Sequence, residues 1–163
     1  MKPAGSSRGR GICLKRDLCE ILDMIKHKDI GQTVSNQTAG QLYICQKYIE
    51  NTMIMKCRKF DIRQWVLVTD WNPLTIWIYA EPYIRFPAAD FDFNKISNRY
   101  SHLSNNSIAK HGKKVTTTHT IDGNMWDLEE FQKSLLETYG TDIWEEKIVE
   151  SIKNIVINSL ESV

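Results

Sequence analysis

Lys59-Phe60-Asp61-Ile62-Arg63 is the run whose residue types and spacing most invite chemistry. In a strand, alternate side chains share a face, so Lys59, Asp61 and Arg63 would stand in line. Successive members would lie about 6–7 Å apart, from the strand rise. Two cations suit phosphate or carboxylate oxygens, and an acid between them suits a ribose hydroxyl, a metal or an amine. The same row also fits a solvated strand face with a local ion pair. A second group opens the chain. Gly5, Gly9 and Gly11 would let backbone amides approach an anion, and Arg8 and Arg10 add positive charge. Lys2-Pro3 would set a cation at the base of that loop, although no Gly-Lys-Ser/Thr closes it as in a P-loop. A third group is His102-Leu103-Ser104-Asn105-Asn106-Ser107-Ile108. Its hydroxyls and amides could hold a polar ligand or cap a turn.

The elements that must carry these residues follow from periodicity and turn chemistry. The first eleven residues read as a flexible loop. Leu18, Ile21, Leu22 and Ile25 predict a helix with one apolar stripe, and the stretch 31–41 predicts a loop. Leu42 to Ile49, Lys59 to Thr69 and Leu74 to Tyr79 predict three strands. Asp70-Trp71-Asn72-Pro73 would turn the second into the third as an antiparallel hairpin. Bulk on both of its faces predicts a central place in a doubly covered sheet. Pro82 and Pro87 would break the stretch carrying Tyr83-Ile84-Arg85-Phe86, and Ser101 to Asn124 reads as loop. Asp127-Leu128-Glu129-Glu130 has capping-box spacing. Leu128, Phe131 and Leu135 make the stripe of a helix that stops before Gly140. Trp144, Ile148, Ile152, Ile155, Val156 and Leu160 predict a last helix packed on a core.

Composition narrows the class. The chain has 163 residues, 42% hydrophobic and 25% charged, which is ordinary for one globular domain. No apolar run approaches the ~20 residues that span a bilayer. The polar, glycine-rich start does not read as a secretory signal. The cysteines at 13, 19, 45 and 57 form no CxxC pair, and the histidines at 27, 102, 111 and 119 complete no zinc pattern. The thiols read as reduced packing residues of a cytosolic protein. Net charge is +1, yet residues 1–63 hold 12 Lys+Arg against 6 Asp+Glu, while residues 64–163 hold 9 against 14. The basic part could face a nucleotide or an acidic peptide, or the two parts could simply neutralise each other. The aromatic residues sit in core-like strands rather than on a basic surface, which argues against nucleic acid.

The order of motifs adds a resemblance. Lys2-Pro3, Ser7-Arg8-Gly9-Arg10-Gly11-Ile12, Gln46-Lys47-Tyr48-Ile49, Lys59-Phe60-Asp61-Ile62-Arg63, Tyr83-Ile84-Arg85 and Leu103-Ser104-Asn105 follow one another as in the tubulin–tyrosine ligase-like family. The chain resembles that family from residue 2 to about 136. Ile62-Arg63-Gln64-Trp65, the run from Thr69 to Trp77 and Asn105-Asn106-Ser107-Ile108 resemble its glycylase branch. Glutamate ligases of the family usually carry a tyrosine where Asn106 stands. The resemblance implies an α+β fold of the ATP-grasp type, present in part over 2–163. An N-terminal subdomain and a C-terminal metal-binding strand are expected to be absent, and the chain alone to be inactive.

The resemblance also implies roles. Lys2 would contact ATP phosphates, and Arg8 and Gly9 would belong to a mobile loop closing over them. Gln46, Lys47, Tyr48 and Ile49 would cup adenine through backbone groups. Lys59, Phe60 and Asp61 would line the nucleotide, with Arg63 beside the acceptor and the phosphoryl group. Arg85 would bind the carboxylate of the incoming amino acid. Ser104, where the family often has threonine, and Asn105 would touch nucleotide, and Ser107 the amino acid. The implied cofactors are ATP and Mg2+, the metal being held from outside this segment. The implied partners are glycine and the acidic C-terminal tails of tubulin, with no nucleic acid and no membrane. The implied location is the cytoplasm, the cytoskeleton and the axoneme of a cilium or flagellum. A tubulin glutamate ligase, or a non-catalytic tail-binding remnant, is the alternative reading.

Overall fold

A computed structural model describes residues 1–29, 42–112 and 117–162. The loop expected over 31–41 lies outside them. The chain divides into two compact units, one of residues 1–60 and 86–124, the other of residues 61–85 and 125–163.

In the first unit, β1 (Lys2–Pro3) pairs antiparallel with β2 (Tyr43–Ile44). The expected strand over 42–49 is therefore only two residues long. Helix α1 (Leu18–Asp29) forms where the stripe predicts it, but Leu18, Leu22 and Ile25 are exposed. A tight hairpin joins β3 (Ile54–Met55) to β4 (Arg58–Lys59). Its turn residues Lys56 and Cys57 both adopt positive φ, at 47° and 62°. The stretch 101–124 is not simply loop. It holds α2 (Arg99–His102), α3 (Asn106–Ala109) and a 3-10 turn over Asp122–Asn124. Asn98 caps α2 by accepting from the Tyr100 amide. Met55, Phe86, Ala88, Ala89, Ile108, Ala109 and Ile121 form the apolar core of this unit.

In the second unit, β5 (Asp61–Arg63), β8 (Tyr83–Arg85) and β9 (Met125–Trp126) form an antiparallel sheet with β8 in the middle. The stretch between the two prolines is thus a central strand. Pro82 and Pro87 flank it without removing any of its own N–H donors. Strands β6 (Val66–Trp71) and β7 (Leu74–Ile78) make the expected hairpin, with a bulge between Val68 and Asp70. It is not central. It is a two-stranded ribbon, and Trp65, Leu67, Trp71 and Trp77 are each about 60% exposed. Asp127 accepts from the Glu130 amide at 2.8 Å to start α4 (Leu128–Tyr139), and Gly140 ends it at φ 74°. Phe131 and Leu135 are fully buried, and Phe131 meets Trp144 edge-on at 6.0 Å. A π-helical turn over Trp144–Ile148 leads into α5 (Val149–Glu161). Trp144 is buried and Ile148, Ile152, Val156 and Leu160 are partly covered, whereas Ile155 is 64% exposed, so the predicted core-facing stripe is covered except at Ile155.

Three of the four cysteines, at 19, 45 and 57, are exposed rather than packed. Among the described residues, no helix is long and apolar enough to cross a membrane.

Candidate active site

The expected row of Lys59, Asp61 and Arg63 does not lie on one strand. Lys59 pairs with Ile54 in the β3–β4 hairpin, whereas Asp61 and Arg63 pair with Arg85 and Tyr83 in the sheet of the other unit. Strand 59–69 is in fact parts of three ladders, β4, β5 and β6. Phe60 ends the first unit and packs against Phe86, with ring centroids 6.1 Å apart.

In the first unit the structure gathers several predicted residues. The glycine loop is folded onto α3 rather than projecting from it. Ser107 Oγ donates to the Arg8 carbonyl at 2.7 Å. Gly9 stands at φ 76°, where a Cβ would lie 2.6 Å from Ile108 Cδ1 and 2.7 Å from Asn105 Oδ1. Only glycine satisfies both the conformation and that approach. Gly11, at φ 72°, packs as closely on Pro3. Arg8, Gly9, Asn105 and Ser107 therefore form one neighbourhood, and Gly11 ties it to the strand of Lys2. The predicted flexible loop is further tied down by paired bonds between Met1 and Cys13. Ser107, expected on the amino acid, uses its hydroxyl proton within this loop.

Gln46, Lys47 and Ile49 are exposed and Tyr48 is half-buried. They run past the end of β2 and pair with no strand among the described residues. A backbone stretch of this kind offers N–H and C=O groups to a planar polar edge. Tyr48 is anchored: its hydroxyl lies 2.8 Å from His102 Nδ1 and accepts from Lys59 Nζ at 3.3 Å. Lys59 Nζ also stands 5.0 Å above the Tyr48 ring, within cation–π range.

Two residues of this unit escaped the sequence reading. Arg58 is 2% exposed. It donates to the carbonyls of Pro87 (3.2 Å) and His119 (2.7 Å) and to Asn124 Oδ1 (2.9 Å). Asp90 stands 3.8 Å from its Nε and accepts from the Thr118 amide and hydroxyl. Burial lowers the proton affinity of Arg58, and the Asp90 charge opposes that. The signal available was alternation: if Lys59 faces a ligand, Arg58 faces the core. His102, 1% exposed, is the other. Its segment drew attention for hydroxyls and amides, not for the imidazole.

In the second unit, Asp61 and Arg85 are directly opposed across β5 and β8. Arg85 Nε and Nη2 reach Asp61 Oδ1 and Oδ2 at 2.7 and 2.9 Å, a bidentate pair. The hydrogen bond to Asp61 raises the proton affinity of Arg85 above its ordinary value, against the opposing effect of burial. The pair fixes the direction of the guanidinium. Arg63 is exposed, 6.0 Å from the Trp65 ring. An open depression of about 270 Å³, lined by Gln64, Tyr79, Leu128, Trp144, Val149 and Ile152 among others, also lies in this unit. None of the predicted site residues lines it.

These donors suit a polyanionic nucleotide in part. Lys2, Arg8 and Lys59 supply cations from one unit, and Gln46 to Ile49 supply backbone groups that pair with no strand among the described residues. They do not supply a divalent-metal site. Among the described residues no three His, Cys, Asp or Glu side chains gather to hold an ion.

Comparison with known proteins decides the family. The model of the tubulin-tyrosine ligase family matches residues 1–163. The chain belongs to the tubulin-tyrosine ligase family. Its similar relatives are named glycylases. A Tetrahymena thermophila protein named tubulin glycylase 3C is 43% identical over all of this chain and 14% of its own length. Human tubulin monoglycylase TTLL3 is 39% identical over 99% of this chain and 20% of its own length. Mouse protein monoglycylase TTLL8 is 39% identical over 98% of this chain and 19% of its own length. The chain thus spans a fifth or less of these curated relatives. Mixed helices and antiparallel sheets agree with a domain of this family, and the glycylase likeness seen in the motifs is matched by the relatives.

Proposed function

We propose that this chain is part of an ATP-dependent ligase that joins glycine to glutamate side chains in the C-terminal tails of tubulin. The observation carrying the reading is the 36–43% identity, over 96–100% of the chain, to proteins named tubulin glycylases and monoglycylases. The reading includes an ATP-grasp domain, a cytoskeletal setting and the ciliary or flagellar axoneme as the place of action.

The chemistry explains why such residues are wanted. A carboxylate is a poor electrophile, and ATP, when bound, supplies the phosphoryl group that activates it. The glutamate oxygen takes the γ-phosphoryl group and ADP leaves. The glycine amine then attacks the acyl carbon, loses a proton and expels phosphate. An isopeptide bond remains. Charge grows on phosphoryl and carbonyl oxygens in these steps, where fixed cations act best. Lys2, Arg8 and Lys59 would hold the phosphates, and Phe60 would line the base or sugar. Gln46, Lys47, Tyr48 and Ile49 would offer backbone groups to adenine, and Ser104 and Asn105 would add polar contacts. Asp61 would orient Arg85 toward the carboxylate of glycine, with Arg63 beside the acceptor and Ser107 near the amino acid. Exclusion of water would protect the acyl phosphate from hydrolysis.

The test exchanges residues 1–163 for the matching segment of human tubulin monoglycylase TTLL3. The exchange protein is given labelled glycine, glutamate or tyrosine with tubulin and ATP. Glycine is expected to enter tubulin, and the other two are not. Entry of glutamate instead would make the chain a glutamate ligase. No incorporation, with the unexchanged relative active, would favour a tail-binding remnant.

A further inference from the structure

We propose that His102 is a positioning residue for Lys59, acting through the hydroxyl of Tyr48, so that an imidazole touching no ligand sets the amine that meets the nucleotide phosphates. The proposal rests on the reading of Lys59 given above.

Hydrogen-bond direction carries the inference. His102 Nε2 lies 3.2 Å from the Lys95 carbonyl oxygen. A carbonyl only accepts, so the proton belongs on Nε2. The neutral ring then has its lone pair at Nδ1, 2.8 Å from the Tyr48 hydroxyl. The phenol must therefore donate to Nδ1. Its own lone pairs are left to accept, and Lys59 Nζ donates to them at 3.3 Å. One tautomer thus orders three groups in a single direction, from lysine through phenol and imidazole to a backbone carbonyl. A proton added at Nδ1 would reverse the phenol and turn its hydrogen toward the ammonium.

The surroundings hold this order. The imidazole is 1% exposed and meets Tyr48 and Phe91 edge-on, both at 5.6 Å. Tyr48 leans on Phe93 at 6.3 Å, and the Arg16 guanidinium covers Phe93 while donating to its carbonyl at 2.7 Å. Burial disfavours the imidazolium first, and the Lys59 charge adds to that. The Lys95 carbonyl and the Asp92 carboxylate act the other way. All these groups belong to one unit. Tyr48 and His102 are 54 residues apart, so the fold rather than local sequence brings them together.

The test uses the 163-residue chain, Tyr48→Phe, His102→Phe and the double variant. Both substitutions keep a ring and remove the relay. Calorimetric titration with ATP and with AMP reads the phosphate end against the rest of the nucleotide. Each single variant is expected to weaken ATP about tenfold and AMP less than about twofold, the loss expected for one charged hydrogen bond. The double variant should be no worse than either single, because the residues act in series. Equal losses for ATP and AMP, or additive losses, would overturn the proposal. A second readout is the Lys59 Cε resonance in 13C-lysine protein without nucleotide. It should move in both single variants, and a resonance unmoved in either one would overturn the relay. If the unmodified chain binds neither nucleotide, the reading of Lys59 as a phosphate ligand falls. The resonance alone then decides whether His102 positions the lysine.

Discussion

Lys59→Ala is expected to abolish glycine incorporation by the exchange protein while leaving its fold intact. Lys59 is half-buried at the end of a two-residue strand, and its amine is already aimed by the Tyr48 hydroxyl and ring. A cation fixed before reaction stabilises developing phosphoryl charge without reorganising. Removing one such group typically costs on the order of 100-fold or more in turnover. The fold should tolerate the change, because the methylene stem is only partly covered. Lys59→Arg should rescue poorly. A planar guanidinium is longer and cannot place a point charge above the same ring with the same donor toward the phenol. Wild-type incorporation by Lys59→Ala would remove Lys59 from the site.

Arg58→Met should act in the opposite sense, through stability alone. Methionine fills much of the same volume but leaves the acceptors of Pro87, His119 and Asn124 without their donor and Asp90 without its counter-charge. Leaving these acceptors without their donor costs about 1–3 kcal/mol for each group that water does not reach, and roughly 3–5 kcal/mol together. In a chain of this size that lowers the thermal midpoint by on the order of 10 °C. Two further features localise the damage. Asn124 adopts positive φ, at 55°, and its carbonyl accepts from the Phe86 amide at 2.9 Å. Without Arg58 the 117–124 segment keeps only the Asp90–Thr118 bonds and the Phe86–Asn124 backbone bond, among those described, to join it to 86–90. A midpoint within about 2 °C of wild type would show that Arg58 is not the hub its burial implies.

The parts of the fold legible in the sequence were those governed by local chemistry. The Asp127 cap, the Gly140 stop and the buried Phe131–Leu135 stripe all form as read. So does the turn at Asn72-Pro73. What the sequence did not show were partners. Lys59 to Thr69 looks like one strand because its residues are uniformly β-prone. It is cut where Arg58–Lys59 finds β3, Asp61–Arg63 finds β8 and Val66–Trp71 finds β7. Propensity cannot choose among three ladders. The exposed Trp65, Leu67 and Trp77, and Ile155 on α5, show the same limit. Hydrophobicity says that a residue can be buried, not that this chain buries it. The candidate site was legible as a list of residues, because motif order survives in sequence. Its geometry was not. The Asp61–Arg85 pair, the Ser107–Arg8 bond and the His102–Tyr48–Lys59 series join residues 24, 99 and 54 positions apart for the bonds so defined.

The proposed activity stands on activation of a glutamate carboxylate by phosphorylation, followed by attack of glycine. An acceptor tail peptide carrying 18O in its glutamate side-chain carboxylates tests it directly, with the exchange protein, ATP and glycine. Mass spectrometry of the released phosphate gives the answer. One 18O is expected in phosphate for each glycine joined, because the activated oxygen departs with the phosphoryl group. Phosphate free of 18O, with glycine still joined to the peptide, would contradict it.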